Sequence, residues 1–455
     1  MGDYADFLAG KRQTSRGAVV EDVWFSDRMY GFQRHLTEFA VTQGRSSIFA
    51  DCGMGKSLVE LVWAENIRKL TGKPVLIIAP LAVSFQTVRE AAKFDLDAEN
   101  SRDGSIPAGI TVTNYERLER FNTDDFGGVV CDESSVLKSY SGSRRALVTE
   151  FLRTQQYRLL CTATAAPNDY IELGTSSEAL GELGYMDMLN RFFVNDRNTS
   201  AVNRYRGQMA AWRFKGHAED AFWRWVASWA RAARKPSDLG FPDDGFILPH
   251  LSHRLHVVTA ETPLEGTLFD VPARGLREER DEARRTLTER CEVAAHQIAD
   301  ADRAISWCHL NDEGRLLTRL IEGAVEVAGS QSPDEKEEKL VAFINNEIRV
   351  LVTKPSVAGF GLNLQNCHRM TFFPSHSWEM YYQSVRRCWR FGQTDPVIVD
   401  IVASEGGRNV LRNLERKAAQ ADRMFESLVR CMNDGLSVTP GTNYPVPVEA
   451  PQWVS

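Results

Sequence analysis

No stretch of the 455 residues reaches eighteen consecutive apolar positions, so the sequence offers no helix suited to spanning a lipid core. The opening MGDYADFLAGKRQ also lacks the apolar segment of a secretory signal. A cytoplasmic protein with no membrane partner is the expectation from these two absences. There is no C-x-x-C pair either: Cys52, Cys131, Cys161, Cys291, Cys308, Cys367, Cys388 and Cys431 are scattered, several within apolar runs. Reduced, buried thiols are expected, not a disulfide framework. Positive charge is not in excess, the formal net charge being −7 at pH 7. That argues against a uniformly basic surface but leaves room for one confined basic groove. With 43% hydrophobic and 25% charged residues the chain is ordinary globular protein, long enough for about three domains.

What is present is one stretch that dictates a ligand, SSIFADCGMGKS (Ser46 to Ser57). Ile48, Phe49 and Ala50 read as a buried strand; Gly53, Met54 and Gly55 turn the chain with its amides exposed; Lys56 and Ser57 open a helix. This is a phosphate cradle, in which backbone N–H groups and a helix N-terminus hold phosphate oxygens. Lys56 is suited to the β- and γ-phosphates and Ser57 to Mg²⁺, so ATP with Mg²⁺ is the expected cofactor pair. Ala50 stands where the strict G-x-x-x-x-G-K-[ST] pattern has its first glycine, and a glycine-rich strand-to-helix turn is the plainer alternative. Upstream, MYGFQRHLTEFAV has helical spacing and places Gln33 just before the cradle, where its amide can read an adenine edge.

Downstream the pattern alternates. VLIIAP, GITVTN, GGVVC and YRLLC read as buried strands separated by helices, which implies a doubly wound parallel sheet. Ligands of such sheets sit beyond the carboxyl ends of the strands. Polar residues fall at those ends: Thr113 and Asn114, Asp132 and Glu133, and the triplet Thr162-Ala163-Thr164. Asp132 is placed to hold Mg²⁺ and Glu133 to polarise an attacking water.

From Gly174 to Pro249 the alternation stops in a helical, tryptophan-rich segment. Trp212, Trp223, Trp225 and Trp229 interleave with arginines, a pattern that stacks nucleic-acid bases in some proteins but more often packs a core. Core packing is the expectation. His250, His253 and His256 recur at a spacing unsuited to a helical zinc pair. A second alternating series begins at AISWCHL and includes IRVLVT, RMTFF and PVIVDIV, without a cradle of its own. It carries YYQSVRRCWRFGQ, whose arginines can complete a site built by the first series. Domain limits are expected at 1–28 (extension), 29–174 (first lobe), 175–300 (helical insertion and linker), 301–435 (second lobe) and 436–455 (extended tail).

These stretches, in this order, resemble the superfamily-two helicases, and among them the Swi/Snf-related DNA translocases of compact bacterial or phage type. ADCGMGKS is similar to that family's motif I, which tolerates Ala50; IAPLAVSFQ, TNYERL, DESS and TAT resemble motifs Ia, Ib, II and III. VTKPSVAGFGLNLQ resembles motif V and QSVRRCWRFGQ motif VI. The resemblance implies two RecA-like lobes with ATP and Mg²⁺ between them, and Arg387 and Arg390 as arginine fingers. It adds Gly361 and Asn363 to the nucleotide site, and gives Pro80, Thr113, Asn114, Thr353 and Lys354 to the nucleic-acid track. Double-stranded DNA is the favoured partner, with a further protein of a replication, repair or defence complex possible. Ser135 stands where many relatives have histidine, and Arg386 has no assigned role. A DNA translocase is the expected function; a strand-separating helicase and a non-catalytic nucleic-acid-binding subunit are the alternatives.

Overall fold

The computed structural model describes residues 22–138, 142–166, 169–195, 212–259, 276–358, 362–375, 377–405 and 408–434. The first lobe alternates as expected: α1 (Gly31–Gln43), β1 (Arg45–Ala50), α2 (Lys56–Thr71), β2 (Val75–Ala79), α3 (Leu81–Lys93), β3 (Ala98–Asn100), β4 (Ile110–Asn114), β5 (Gly128–Asp132), α4 (Gly142–Thr154) and β6 (Tyr157–Cys161). TNYERL departs from this expectation, since Tyr115–Arg120 forms a short 3-10 helix. The chain continues through α5 (Leu173–Leu180), α6 (Tyr185–Phe192), β7 (Phe193–Asn195), β8 (Trp212–Phe214), α7 (Ala218–Trp229) and β9 (Ala230–Ala233). All pairs in the first sheet are parallel and its order is β3-β4-β2-β5-β6-β1-β9. β1, β2, β4, β5 and β6 are buried along their whole length, because helices cover both faces.

The position of β9 revises the expected boundary. A strand from the supposed insertion pairs directly with the cradle strand β1, Ser47 opposite Ala230 through Ala50 opposite Ala233. The tryptophan-rich helix α7 brings it there. Phe222, Trp223 and Trp229 are fully buried in the first lobe's core, and Trp229 meets Phe49 of β1 edge-on at 6.2 Å. The aromatics therefore pack, each large ring removing roughly 150–250 Å² from water.

The second lobe comprises β10 (Leu251–Val258), α8 (Leu276–Arg285), α9 (Leu287–Gln297), β11 (Ala304–Trp307), α10 (Asn311–Leu320), β12 (Ala324–Val327), α11 (Pro333–Ile344), β13 (Val350–Thr353), α12 (Pro355–Ala358), β14 (Arg369–Phe372), α13 (Trp378–Cys388) and β15 (Val397–Ser404). Its sheet, again wholly parallel, runs β10-β15-β14-β11-β13-β12. His253 and His256 lie on edge strand β10 and His250 just before it; His256 Nε2 pairs with Asp400 Oδ1 at 2.8 Å. Local chemistry fixes the helix starts. At α11, Ser332 Oγ accepts from Glu335 N at 3.2 Å while Glu335 Oε2 accepts from Ser332 N at 2.9 Å, with Pro333 in the first turn.

The last helix, α14 (Arg408–Asp434), leaves the second lobe and returns to the first. Leu414 packs in the second lobe's core, whereas Met424, Phe425, Leu428, Cys431 and Met432 are buried in the first. Arg234 Nη1 meets Asp422 Oδ1 at 2.7 Å along this contact. Phe425→Ala should therefore destabilise the first lobe by about 3–5 kcal/mol, the usual cost of truncating a buried phenylalanine. Urea unfolding followed by tryptophan fluorescence measures this, and an unchanged midpoint would mean that the helix does not dock there.

Candidate functional site

Strand β1, between β6 and the edge strand β9, delivers the cradle to the carboxyl end of the first sheet. Gly53 and Gly55 have φ of 91° and 75°, a left-handed conformation that favours glycine. Space also demands it: a Cβ on Gly53 would lie 2.9 Å from the Phe391 backbone nitrogen, and one on Gly55 would collide with Gln33 Nε2. Gln33 is thus part of the cradle wall. Its Oε1 accepts from Tyr30 N at 3.0 Å and its Nε2 donates to the Met54 carbonyl at 3.1 Å. Both ends of the amide are engaged, so reading an adenine requires exchanging one of these bonds.

Lys56 begins α2 and Ser57 follows in its first turn. Lys56 Nζ donates to the Ala50 carbonyl at 2.9 Å and reaches that of Asp51 at 3.5 Å. Burial opposes its charge, but Cys52, Glu133, Asp132 and Asp51 outweigh that cost and raise its pKa. The lysine is held as a cation.

Asp132 ends β5, and Glu133 after it has φ 50°, unusual for a residue with a side chain. Asp132 Oδ1 accepts from Glu133 N at 2.8 Å, and the Tyr115 hydroxyl donates to the Asp132 carbonyl. Burial, then the nearby Glu133 carboxylate, pushes the Asp132 pKa up to about 7 against the pull of Lys56. Behind it Glu60, fully buried on α2, has its pKa raised well above the carboxylate range by burial and by Asp132. The donor set suits Mg²⁺. Among the described residues no group of three or more His, Cys, Asp or Glu forms a metal cage. One carboxylate with one hydroxyl, Asp132 and Ser57, fits an ion that draws its other ligands from phosphate and water.

Helix α13 brings the second lobe to this site. Ser377 caps it, its Oγ accepting from Met380 N at 3.2 Å. Glu379, Gln383, Arg386, Arg387 and the following Arg390 recur at three- and four-residue intervals on the cradle side. Arg387 Nη2 lies 3.6 Å from Glu133 Oε1 and 3.8 Å from Cys52 Sγ. Arg390 Nη1 donates to the Leu362 carbonyl at 3.4 Å; burial and the neighbouring Arg387 lower its pKa. The expected arginine pair therefore faces the expected cradle.

Three further partners, Asp51, Gln383 and Glu379, complete the site beyond the residues that the sequence assigned to it. Asp51, inside the cradle, receives Arg386 in a forked pair, Nη2 to Oδ2 at 2.5 Å and Nε to Oδ1 at 3.1 Å. Gln383 and Glu379 extend a hydrogen-bonded chain from the acid pair: Thr162 Oγ1 donates to Glu133 Oε2 at 3.4 Å, and Thr164 N to Thr162 Oγ1 at 3.1 Å. The Thr164 hydroxyl then accepts from Gln383 Nε2 at 3.2 Å and donates to Glu379 Oε1 at 2.8 Å. Gln383 opens the stretch that resembles motif VI, Glu379 shares its helical spacing with the arginines, and Asp51 lies within the motif I stretch, but no role follows for any of the three from the sequence alone.

Some expected contacts need correction. Thr113 Oγ1 donates to the Ser101 carbonyl at 3.1 Å and Thr353 Oγ1 to the Val327 carbonyl at 2.9 Å, both fully inside their sheets. Neither side chain can touch a polymer; each ties its strand end to a neighbour. Asn114 is also buried. Pro80 at the head of α3 and Lys354, whose Nζ donates to Asn311 Oδ1 at 2.6 Å, are partly exposed at strand ends. Asn363 is partly exposed, its Oδ1 accepting from Gln365 N at 3.3 Å, whereas Gly361 lies outside the described residues.

Asp132→Asn should remove ATPase activity while stabilising the protein by about 1–3 kcal/mol at pH 8, since it deletes a buried charge. The folded-state pKa is raised, so the wild type regains stability as pH falls through about 7. The gap to the variant should therefore narrow progressively below pH 7 and close only toward about pH 4, the ordinary carboxyl range. Thermal melts of both proteins across that range test this, and a less stable variant at pH 8 would refute it.

Comparison with known proteins finds similarity over several parts of the chain. Residues 289–392 match the helicase conserved C-terminal domain family. The chain is 22% identical over 459 residues to the putative protein p41 of Acyrthosiphon pisum secondary endosymbiont phage 1, covering 85% of this chain and 95% of that one. It is 26% identical over 208 residues to the mouse (Mus musculus) DNA annealing helicase and endonuclease ZRANB3, covering 42% of this chain but only 19% of the relative. Among solved structures, the Sulfolobus solfataricus SWI2/SNF2 ATPase core in complex with dsDNA aligns with a TM-score of 0.42 and 16% identity, over 92% of this chain and 97% of that one.

Proposed function

We propose that the chain is an ATP-hydrolysing nucleic-acid motor of the superfamily-two helicases, of the Swi/Snf-related group, and that it translocates along double-stranded DNA; the match of residues 289–392 to the helicase conserved C-terminal domain family supports the first part of this reading. The observation that carries the proposal is Arg387 of the second lobe standing 3.6 Å from Glu133 of the first. One group is suited to neutralising charge on a transferred phosphoryl group and the other to orienting water for its attack. They belong to different sheets, so the site is whole only when the lobes meet.

Bound MgATP supplies the bond to be broken and the divalent charge at its phosphates. Lys56, held as a cation, binds the β- and γ-phosphates; Glu133 draws the proton from the attacking water; Arg387 and Arg390 offset negative charge in the transition state. Gln33 positions the base end by giving up one of its two internal bonds. Hydrolysis weakens the attraction of the arginines for the first lobe, the lobes part, and a polymer held across both advances. Contacts to the polymer are with phosphate, and therefore largely independent of sequence. The aligned relative named as a DNA annealing helicase supports DNA as the polymer.

ATP hydrolysis measured at matched salt with no polymer, single-stranded DNA, duplex DNA and RNA tests this reading. Duplex DNA should stimulate most, and Lys56→Ala should lose at least about 10²-fold in rate under every condition, as expected for the loss of a group that meets transition-state charge. Stimulation by RNA alone, with unwinding of RNA duplexes, would replace the translocase by a strand-separating helicase. Wild-type activity in Lys56→Ala would overturn the site.

A further inference from the structure

We propose that Arg386 is not a third finger but a positioning residue that holds the phosphate cradle against the second lobe before any nucleotide arrives, and so sets the affinity for ATP. The inference rests on the reading of the cradle as an ATP site. Its physical basis is the set of partners that Arg386 and Asp51 satisfy in each other. The guanidinium makes the forked pair with the Asp51 carboxylate and donates from Nη2 to the Cys52 carbonyl at 3.1 Å. Asp51 Oδ1 also accepts from the Tyr382 hydroxyl at 2.8 Å and from Cys52 N at 2.6 Å. Arg386 keeps 3% of its surface exposed and Asp51 4%. The Trp389 ring lies 4.8 Å from the guanidinium carbon and completes the enclosure.

These bonds are spent within the protein. Both arms of Arg386 that reach the first lobe end on the cradle's own atoms, while Arg387 and Arg390 bond mainly to carbonyls of their own lobe, at 3.2 to 3.4 Å, with the Arg387 Nη2 arm at 3.8 Å from Cys52 Sγ and near Glu133. Division of labour follows: one arginine fastens, two remain to meet phosphate. A forked, desolvated arginine–carboxylate pair is specific in geometry, and losing one partner leaves the other charge buried without compensation. The second lobe also presses on the same loop through Phe391, whose backbone nitrogen occupies the space a Cβ on Gly53 would need and whose ring stacks on Phe246 at 4.4 Å. Four consecutive cradle residues, Asp51 to Met54, are thus shaped by groups outside their own strand and helix, with Gln33 holding the Met54 carbonyl. When the lobes part, Asp51 loses Arg386 and Tyr382, and the loop loses two of its walls. ATP then binds a loop that is no longer preorganised.

The test uses the full-length protein with a donor and an acceptor dye on the two lobes, for wild type, Arg386→Ala, Asp51→Asn and the double variant, each checked for a wild-type circular dichroism spectrum. Without nucleotide, wild type should show the short interlobe distance, and each single variant should shift most molecules to a longer one. The double variant should be no more open than either single variant. In DNA-stimulated hydrolysis the single variants should raise the KM for ATP at least tenfold and leave kcat within about threefold. A kcat loss above a hundredfold with unchanged KM would make Arg386 a finger and overturn the proposal, as would an unchanged interlobe distance. The distance measurement needs no ATPase activity: a wild type that is closed but hydrolyses nothing would refute the motor and leave the clamp intact.

Discussion

Three arginines within five residues of one another cannot be buried unless another part of the chain supplies negative charge or acceptors for them. The second lobe places Arg386, Arg387 and Arg390 at the first lobe's cradle; the first lobe meets Arg386 with Asp51 and the Cys52 carbonyl and Arg387 with Glu133, while Arg390 donates to Leu362 of its own lobe. Most of the interlobe architecture is arranged around this electrostatic match. Separately each half carries an excess of one sign, cationic on and just after α13, and anionic around Asp51, Asp132 and Glu133, which Lys56 offsets only in part. Together they form a low-dielectric site in which charge–charge interactions are strong. Burial and the Glu133 carboxylate raise the pKa of Asp132, and Lys56 stays cationic because the first lobe's acids outweigh the cost of its burial.

Two other features serve the same juxtaposition. The helix Arg408–Asp434 begins on the second lobe and ends in the core of the first, so the lobes share a covalent and packed strap. The hydrogen-bonded sequence Glu133, Thr162, Thr164, Gln383 and Glu379 crosses the cleft with polar groups whose geometry changes if the lobes move. Lys138 steadies it from below, its Nζ donating to the Thr164 carbonyl at 3.1 Å and lying 3.6 Å from Glu172. Motion between lobes is thereby linked to the acid pair at the end of β5, by way of Thr162 after β6, through contacts that are polar and breakable, not through a fused apolar core.

Much of this was legible in the sequence because it was local. A strand, two left-handed glycines and a helix beginning at lysine are encoded by neighbouring residues, and Gly53 and Gly55 are where the structure needs them. The parallel alternation was legible for the same reason, each strand being one apolar run. What could not be read is tertiary. Thr113 and Thr353 sit in strands buried on both faces, where no polar–apolar alternation tells which way a side chain points. Ala230–Ala233 has little strand propensity and pairs with β1 because the aromatic helix before it packs there. Asp51 and Arg386 are 335 residues apart, and nothing near either announces the other.

The central claim is that hydrolysis requires an arginine from the second lobe next to an acid of the first, within a site that DNA helps to close. Single-turnover hydrolysis of pre-bound ATP on duplex DNA by Arg387→Ala tests it most directly, with nucleotide binding measured separately by a fluorescent analogue. The account predicts near-normal binding and a hydrolysis rate lowered by about 10³-fold or more, the scale of arginine-finger effects. A variant that hydrolyses bound ATP at the wild-type rate would show that the chemistry is completed within the first lobe, and would contradict the account.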